Sequence, residues 1–205
     1  LKKIGVDVAI DDVSPANQRL AIDYGAGRKP AAGDEPTLIV VCVPPDVTAR
    51  TVLAELRAFP NSVVTDVASV KNSILEELTA AHAPLDRYVG SHPMAGRERG
   101  GALAGRADLF FGRPWVICAN RDSSAASTLL LEQLALDLGS VPVRLTPADH
   151  DRAVAMVSHL PQLVSSLLAA QLNRAESSDL ALSGQGLRDT TRIAASDAKL
   201  WMQIL

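Results

Sequence analysis

Short apolar runs alternating with helical patterns constrain this chain more than any other feature. Residues 6–10 alternate and are β-branched, they end in Asp11-Asp12, and Ser14-Pro15 then opens a helical pattern reaching Tyr24. Residues 38–43 form a continuous apolar run stopped by Pro44-Pro45, the signature of a strand buried on both faces and closed by a loop. Residues 62–65 and 88–90 repeat this reading, and residues 115–118 and 141–145 add two strands around a predicted helix over 125–138. Val70, Ile74, Leu75 and Leu78 share one helical face between strands. Alternation of this kind predicts an α/β fold with a doubly wound parallel sheet. After Thr146-Pro147 the strands stop; one helical pattern covers residues 148 to about 173, and another carries Leu200, Trp201 and Ile204. We therefore divide the chain near residue 146, into an α/β unit over 1–146 and the start of an all-α unit over 147–205.

Composition supports the same class. Hydrophobic residues make up 47% of the 205, enough to bury a core, while aromatics are only 3%, as in aliphatic helices packed on a parallel sheet. A formal net charge of −3 and the lack of a long basic run give no reason to expect nucleic acid or an anionic membrane as partner. No stretch approaches the roughly 20 apolar residues of a bilayer span, and the first residues form no signal peptide, so a cytoplasmic protein is expected. Cys42 and Cys118 lie in apolar runs and read as reduced core thiols, with no metal site expected. Both ends look cut: residues 1–5 resemble the last turn of a helix closed by Gly5, and Leu205 falls inside a helical pattern.

Ligands of an open parallel sheet bind beyond the carboxyl ends of its strands, and four loops of this chain belong there. Asp12 follows the first run, where a dinucleotide fold places the acid that bonds the adenosine ribose; such an acid repels a 2′-phosphate and favours NAD over NADP. A solvated turn acid is the plain alternative, and Asp11 is the substitute. Pro44 follows the second run. Asp66 to Lys71 follow the third, with Ser69 and Lys71 at a helix start, where a lysine opposes the helix dipole and an anion would compensate. Taken alone, Ser69 reads as a cap and Lys71 as a surface lysine. His92 follows the fourth run, held between Gly90 and Pro93, and its near-neutral pKa suits it to accept a proton from an alcohol as hydride leaves.

Within the long helical pattern, Pro161 must disturb the helix beside Ser158 and His159, which makes His159 either a site wall or a satisfied buried histidine. His82 and His150 lack any such context and read as surface residues. Arg188 and Arg192, four apart, would share a helical face and clamp carboxylates, unless one of them pairs with Asp189.

Four motifs in order, Asp66-Val67-Ala68-Ser69-Val70-Lys71, Gly90-Ser91-His92-Pro93-Met94-Ala95-Gly96, Ser158-His159-Leu160-Pro161 and Arg188-Asp189-Thr190-Thr191-Arg192-Ile193-Ala194, resemble the prephenate and arogenate dehydrogenase family. The resemblance runs from about Val6 to the last residue. It implies a Rossmann-like dinucleotide-binding domain over 1–146, a helical substrate and dimerisation domain beginning at 147, and a homodimer with the active site between the two domains. It implies NAD-dependent oxidative decarboxylation of prephenate, or of arogenate, towards tyrosine, with His92 as base and Ser69 bonded to the ring hydroxyl or the imidazole. By the same resemblance Arg192 holds a substrate carboxylate, His159 lines the pocket, and the loops at Pro44 and Asp66 touch the cofactor.

Two departures stand out. The family's first strand, normally central in the sheet, and its glycine-rich phosphate loop have no counterpart in these residues, so its neighbours should lack a partner and the 205 residues alone should not bind NAD. Gln162 stands where the family often has a histidine, and an amide cannot titrate. Two other readings compete. A β-hydroxyacid-type dehydrogenase would need a catalytic lysine in the helical part, where Lys199 alone is available and looks like a surface residue; a silent dinucleotide-sensing module would not need Ser69, His92 and Arg192 together.

Overall fold

The computed structural model describes residues 4–96 and 105–204, apart from the side chains of Lys199 and Leu200. The expected turn at residues 1–5 is therefore described only from Ile4, and Gly5 has the left-handed φ of 82° that suits a helix end. The surface reading of Lys199 and the helix expected at Leu205 lie outside the described residues.

The α/β part contains α1 (Pro15–Asp23), β1 (Leu38–Val41), α2 (Pro45–Ala58), β2 (Val63–Asp66), α3 (Asn72–Ala80), β3 (Val89–Pro93), β4 (Pro114–Ala119), α4 (Ala125–Asp137) and β5 (Val141–Arg144). β1 and β2 pair in parallel, a parallel bridge between Val64 and Tyr88 carries the sheet to β3, and β4 pairs in parallel with β5. The expected uniform parallel sheet differs in one place, because β4 runs antiparallel to β3. Neighbouring residues of one strand serve opposite faces. Val64 and Tyr88 pack with Val52, Leu56, Ile74 and Leu78 of α2 and α3, whereas Val63 and Val89 pack with Leu131, Leu134 and Ala135 of α4. Helices thus cover both faces, as in a Rossmann-like doubly wound fold.

The run at 6–10 does not form the expected strand. Its only β contact is an isolated bridge between Ala9 and Arg28, and Val6 is exposed, because no ladder partner lies beside it among the described residues. Arg28 holds the segment through ion pairs to Asp7 and Asp34 at 2.7 Å. Cys118 is buried in β4, where burial pushes its thiol up to about 12, but Cys42 lies just beyond β1 and is exposed, contrary to the expected core position.

The helical part contains α5 (Pro147–Val154), a π turn (Ala155–His159), α6 (Leu160–Leu172), α7 (Ser177–Ala181), α8 (Gln185–Thr191), a 3-10 turn (Arg192–Ala195) and α9 (Ala198–Ile204). The disturbance expected at Pro161 is this π turn. A proline ring crowds the carbonyl four residues earlier and has no N–H to give it, and the chain responds with an extra residue in the preceding turn, where the Leu160 N–H donates to the Ala155 carbonyl. The continuous helix Pro147–Leu172 is also long and apolar enough to cross a membrane by length and composition, which corrects the expectation that no stretch comes close.

Arg87 ties this architecture together locally. Its guanidinium donates to the carbonyls of Leu56, Phe59 and Ser62 at 2.8–2.9 Å, which satisfies the carboxyl end of α2 and fixes the entry into β2. Replacing Arg87 with Ala removes these three hydrogen bonds and is expected to cost about 2 kcal/mol. Urea denaturation of the complete protein measures this, and an unchanged midpoint would refute the role.

Candidate active site

Asp66 ends β2 with no exposed surface and anchors the site. Its carboxylate forms an ion pair with Lys71, accepts the Tyr88 hydroxyl at 2.7 Å and accepts the Ala68 amide at 2.9 Å. Its carbonyl accepts the Ser91 hydroxyl at 2.8 Å, so the ends of β2 and β3 are locked side by side. Burial and then the Asp66 charge drive the Tyr88 phenol well above its ordinary range, which keeps it a donor. Gly90 lets β3 pass close to this cluster, since a Cβ there would lie 3.1 Å from the Tyr88 hydroxyl and 3.3 Å from Lys71 Cδ and would press on both. Lys71 is 1% exposed, so the surface reading of this lysine is wrong. Its ammonium is matched by a buried carboxylate, the condition under which a buried charge is tolerated.

The anion expected at the start of α3 is Asp151 of α5. Its two oxygens accept the backbone amides of Lys71 at 2.9 Å and Asn72 at 2.8 Å. The same carboxylate lies 2.7 Å from His150 Nδ1, and His150 Nε2 lies 2.9 Å from His92 Nδ1. His150 is wholly buried, so its surface reading is also wrong; it shares a helical face with buried Val154, four residues on, and that spacing was the available signal. His82 is exposed, as expected.

His92 is half-buried at the carboxyl end of β3. Burial, followed by His150, Lys71 and His159, lowers its pKa to about 3, with Asp151 opposing. Burial works to raise the Asp151 carboxyl, but the hydrogen bonds from His150 and the two amides prevail and hold it below its ordinary range. Ser69 sits half-buried in the loop between Asp66 and Lys71, and its hydroxyl makes no hydrogen bond among the described residues. His159 closes the π turn: burial lowers its pKa, its Nε2 is buried without a partner, and its ring meets the Trp201 ring edge to face at 5.9 Å. A satisfied buried histidine it is not.

The sequence matches two family descriptions, "prephenate dehydrogenase, nucleotide-binding domain" over residues 1–143 and "prephenate dehydrogenase, dimerization domain" over 146–205. The chain belongs to the prephenate dehydrogenase family. Over its whole length it is 36% identical to the probable prephenate dehydrogenase NovF of Streptomyces niveus, and over 98% of its length 25% identical to the prephenate dehydrogenase of Bacillus subtilis. It spans 57% and 56% of those proteins. Among solved structures, the A. aeolicus prephenate dehydrogenase in complex with hydroxyphenyl propionate and NAD+ matches 99% of this chain and 74% of its own, with a TM-score of 0.88 at 25% identity. The Synechocystis arogenate dehydrogenase matches 99% and 76%, with a TM-score of 0.79 at 26% identity.

Asp12 is exposed and its Oδ1 accepts the Ser14 amide at 2.7 Å, while Asp11 accepts the Gln18 amide at 3.2 Å. Pro44 is exposed at the start of α2. Arg188 is exposed on α8, and Arg192 is exposed in the 3-10 turn that follows rather than on a common helix. Asp189 takes the Gln185 amide at 2.8 Å. Gln162, buried in α6, donates to the Ile193 carbonyl at 3.1 Å, and Ser165 donates to the Thr190 carbonyl at 2.7 Å, so α6 holds the segment that presents Arg192 by its backbone.

The depressed His92 pKa has a consequence for stability. An unfolded histidine takes a proton near its ordinary value of 6.5, whereas the folded ring stays neutral until about 3. The unfolded chain therefore binds more protons across this window, and stability present above about pH 6.5 is lost as pH falls towards 3. His92→Asn removes the titrating ring and is expected to lessen that loss. Urea midpoints for both proteins at about pH 7.5 and about pH 5 read the difference, and identical losses would count against a buried neutral His92.

Proposed function

We propose that the whole protein is an NAD-dependent prephenate dehydrogenase, converting prephenate to 4-hydroxyphenylpyruvate on the route to tyrosine, with arogenate as the alternative substrate. The observation that carries this is the seat of His92 at the end of β3, bonded to His150 and next to the loop of Ser69, in a chain of this family. Prephenate is a cyclohexadienol with a ring carboxylate, so loss of hydride from its carbinol carbon leaves a dienone that becomes aromatic by losing carbon dioxide. The bound oxidised nicotinamide supplies the hydride acceptor. The protein's own tasks are to position the ring, move one proton and hold two carboxylates.

His92 takes the proton of the ring hydroxyl as the carbonyl forms, and returns it when the departing carboxylate leaves its bonding pair to a phenolate. Ser69, whose hydroxyl is uncommitted, bonds the same oxygen. Arg192 clamps a substrate carboxylate with Arg188 nearby, and the partnerless His159 Nε2 gives a polar contact in the pocket wall. The donor set fits the ends of the cofactor: exposed Asp12 has an oxygen left for the adenosine ribose, and the Pro44 loop follows the carboxyl end of β1. A carboxylate there favours NAD over NADP. The side chains of Asp66 and Lys71 are consumed by each other, so their part in cofactor binding is to shape the loop rather than to touch the dinucleotide. No Gly-x-Gly-x-x-Gly occurs among the 205 residues, so we assign the pyrophosphate to none of them.

The complete protein assayed with prephenate and with arogenate, each with NAD and NADP, tests this reading beside a His92→Asn variant. Turnover falling by about 10³-fold in the variant is expected. No turnover of either substrate by the unaltered protein would defeat the proposal.

We also propose a homodimer through the helical part, working in the cytoplasm. α6 buries its polar Gln162 and Ser165 and exposes Leu163, Val164 and Leu167; with Met156 and Leu160 the apolar positions form one stripe at helical spacing. A second copy covering this stripe also accounts for a soluble helix apolar enough to cross a membrane. Leu167→Glu should convert the complete protein from dimer to monomer in sedimentation velocity, and an undisturbed dimer would place the interface elsewhere.

A further inference from the structure

We infer that His150 and Asp151 are positioning residues that fix the tautomer of His92, keeping its own proton on Nδ1 and presenting Nε2 to the substrate hydroxyl. This rests on the reading of His92 as the base.

The assignment follows from hydrogen-bond capacity. An ionised carboxylate only accepts, so His150 Nδ1, 2.7 Å from Asp151 Oδ1, carries a hydrogen. A neutral imidazole has one N–H, and His150 Nε2 is then a bare acceptor. His92 Nδ1, 2.9 Å away, must donate to it, which leaves the lone pair of His92 on Nε2. A doubly protonated His150 would reverse the second bond and put the His92 proton on Nε2, where it would block the reaction.

The chain is held from both ends. The carboxylate of Asp151 cannot swing freely, because the amides of Lys71 and Asn72 grip its two oxygens. His150 is fully buried, and its ring meets that of His92 edge to face with centroids 5.1 Å apart. The amides that grip Asp151 also terminate the loop that carries Ser69, so one carboxylate registers both groups proposed to meet the substrate oxygen. When the hydroxyl proton reaches His92 Nε2, the resulting imidazolium donates through Nδ1 to His150, and the Asp151 charge lies one ring away. No proton need leave the line for this stabilisation.

The test uses the complete protein, with imidazole 15N resonances of His92 and steady-state kinetics recorded for the unaltered protein, His150→Leu and His150→Gln. Leucine removes the acceptor. Glutamine restores it, since its amide oxygen can accept from His92 Nδ1 while its nitrogen donates to Asp151. We expect a protonated Nδ1 and a bare Nε2 in the unaltered protein, loss of that assignment in His150→Leu with kcat down by about 10²-fold and KM little changed, and recovery of most of both in His150→Gln. A His92 proton found on Nε2, a fully active His150→Leu, or equal impairment of both variants would each overturn the inference. Failure of the unaltered protein to turn over either substrate would instead defeat the functional reading, with the 15N assignment still deciding the tautomer.

Discussion

The buried ion pair between Asp66 and Lys71 is the constraint on which the site depends. A lone charge in this position would be expelled or neutralised, so each residue is tolerable only because the other is present and because Tyr88 and the Ala68 amide complete the carboxylate's hydrogen bonds. Pairs of this kind contribute little net stability compared with apolar residues of the same size. What they contribute here is geometry. The pair folds the loop after β2 back on itself, sets Ser69 in that loop, and through Ser91 binds the end of β2 to the strand that carries His92.

A second carboxylate joins this frame to the helical part. Asp151 belongs to α5, yet two of its hydrogen bonds go to the backbone at the start of α3 and one goes to its neighbour His150. The proposed active site is thus assembled across the boundary near residue 146, with the nucleotide-binding part supplying the proton acceptor and the dimerization part supplying the groups that aim it. Any relative shift of the two parts would break the line from Asp151 to His92 before it disturbed either core.

Much of this fold was legible because hydrophobic periodicity reports burial directly. The five strands from β1 to β5 and the helices α1, α4 and α5–α6 fall within a few residues of their expected places. The strand expected at residues 6–10 was not formed, because apolar alternation shows that a segment can pair and not whether a partner lies beside it. The antiparallel turn of β4 was hidden for a related reason: strand direction is set by the connection, and here the connection includes residues 97–104, outside the described part. Of the candidate site, His92 stood out as a histidine at a strand end, whereas Ser69, a helix cap when taken alone, was singled out only through the family resemblance. Lys71 and His150 were misread as surface residues, because a charged or polar side chain gives no sequence sign of a buried partner 5 or 58 residues away.

The long helix shows how one residue can serve both parts. An α-helix turns about 100° per residue, so the extra residue that Pro161 forces into the turn before it rotates everything upstream by that amount relative to α6. Upstream, His150 and Val154 face the sheet; downstream, Gln162 and Ser165 face the segment of Arg192. In an unbroken α-helix the 12 residues from His150 to Gln162 would span a fixed angle, and the π turn resets it. His159 stands at the joint, with its Nε2 buried and unpaired, where the two faces meet. The proline that looks like a defect in a helix is on this view the device that lets a single rod present a histidine to the proposed proton acceptor at one end and carry the segment of Arg192, proposed to hold the substrate, at the other.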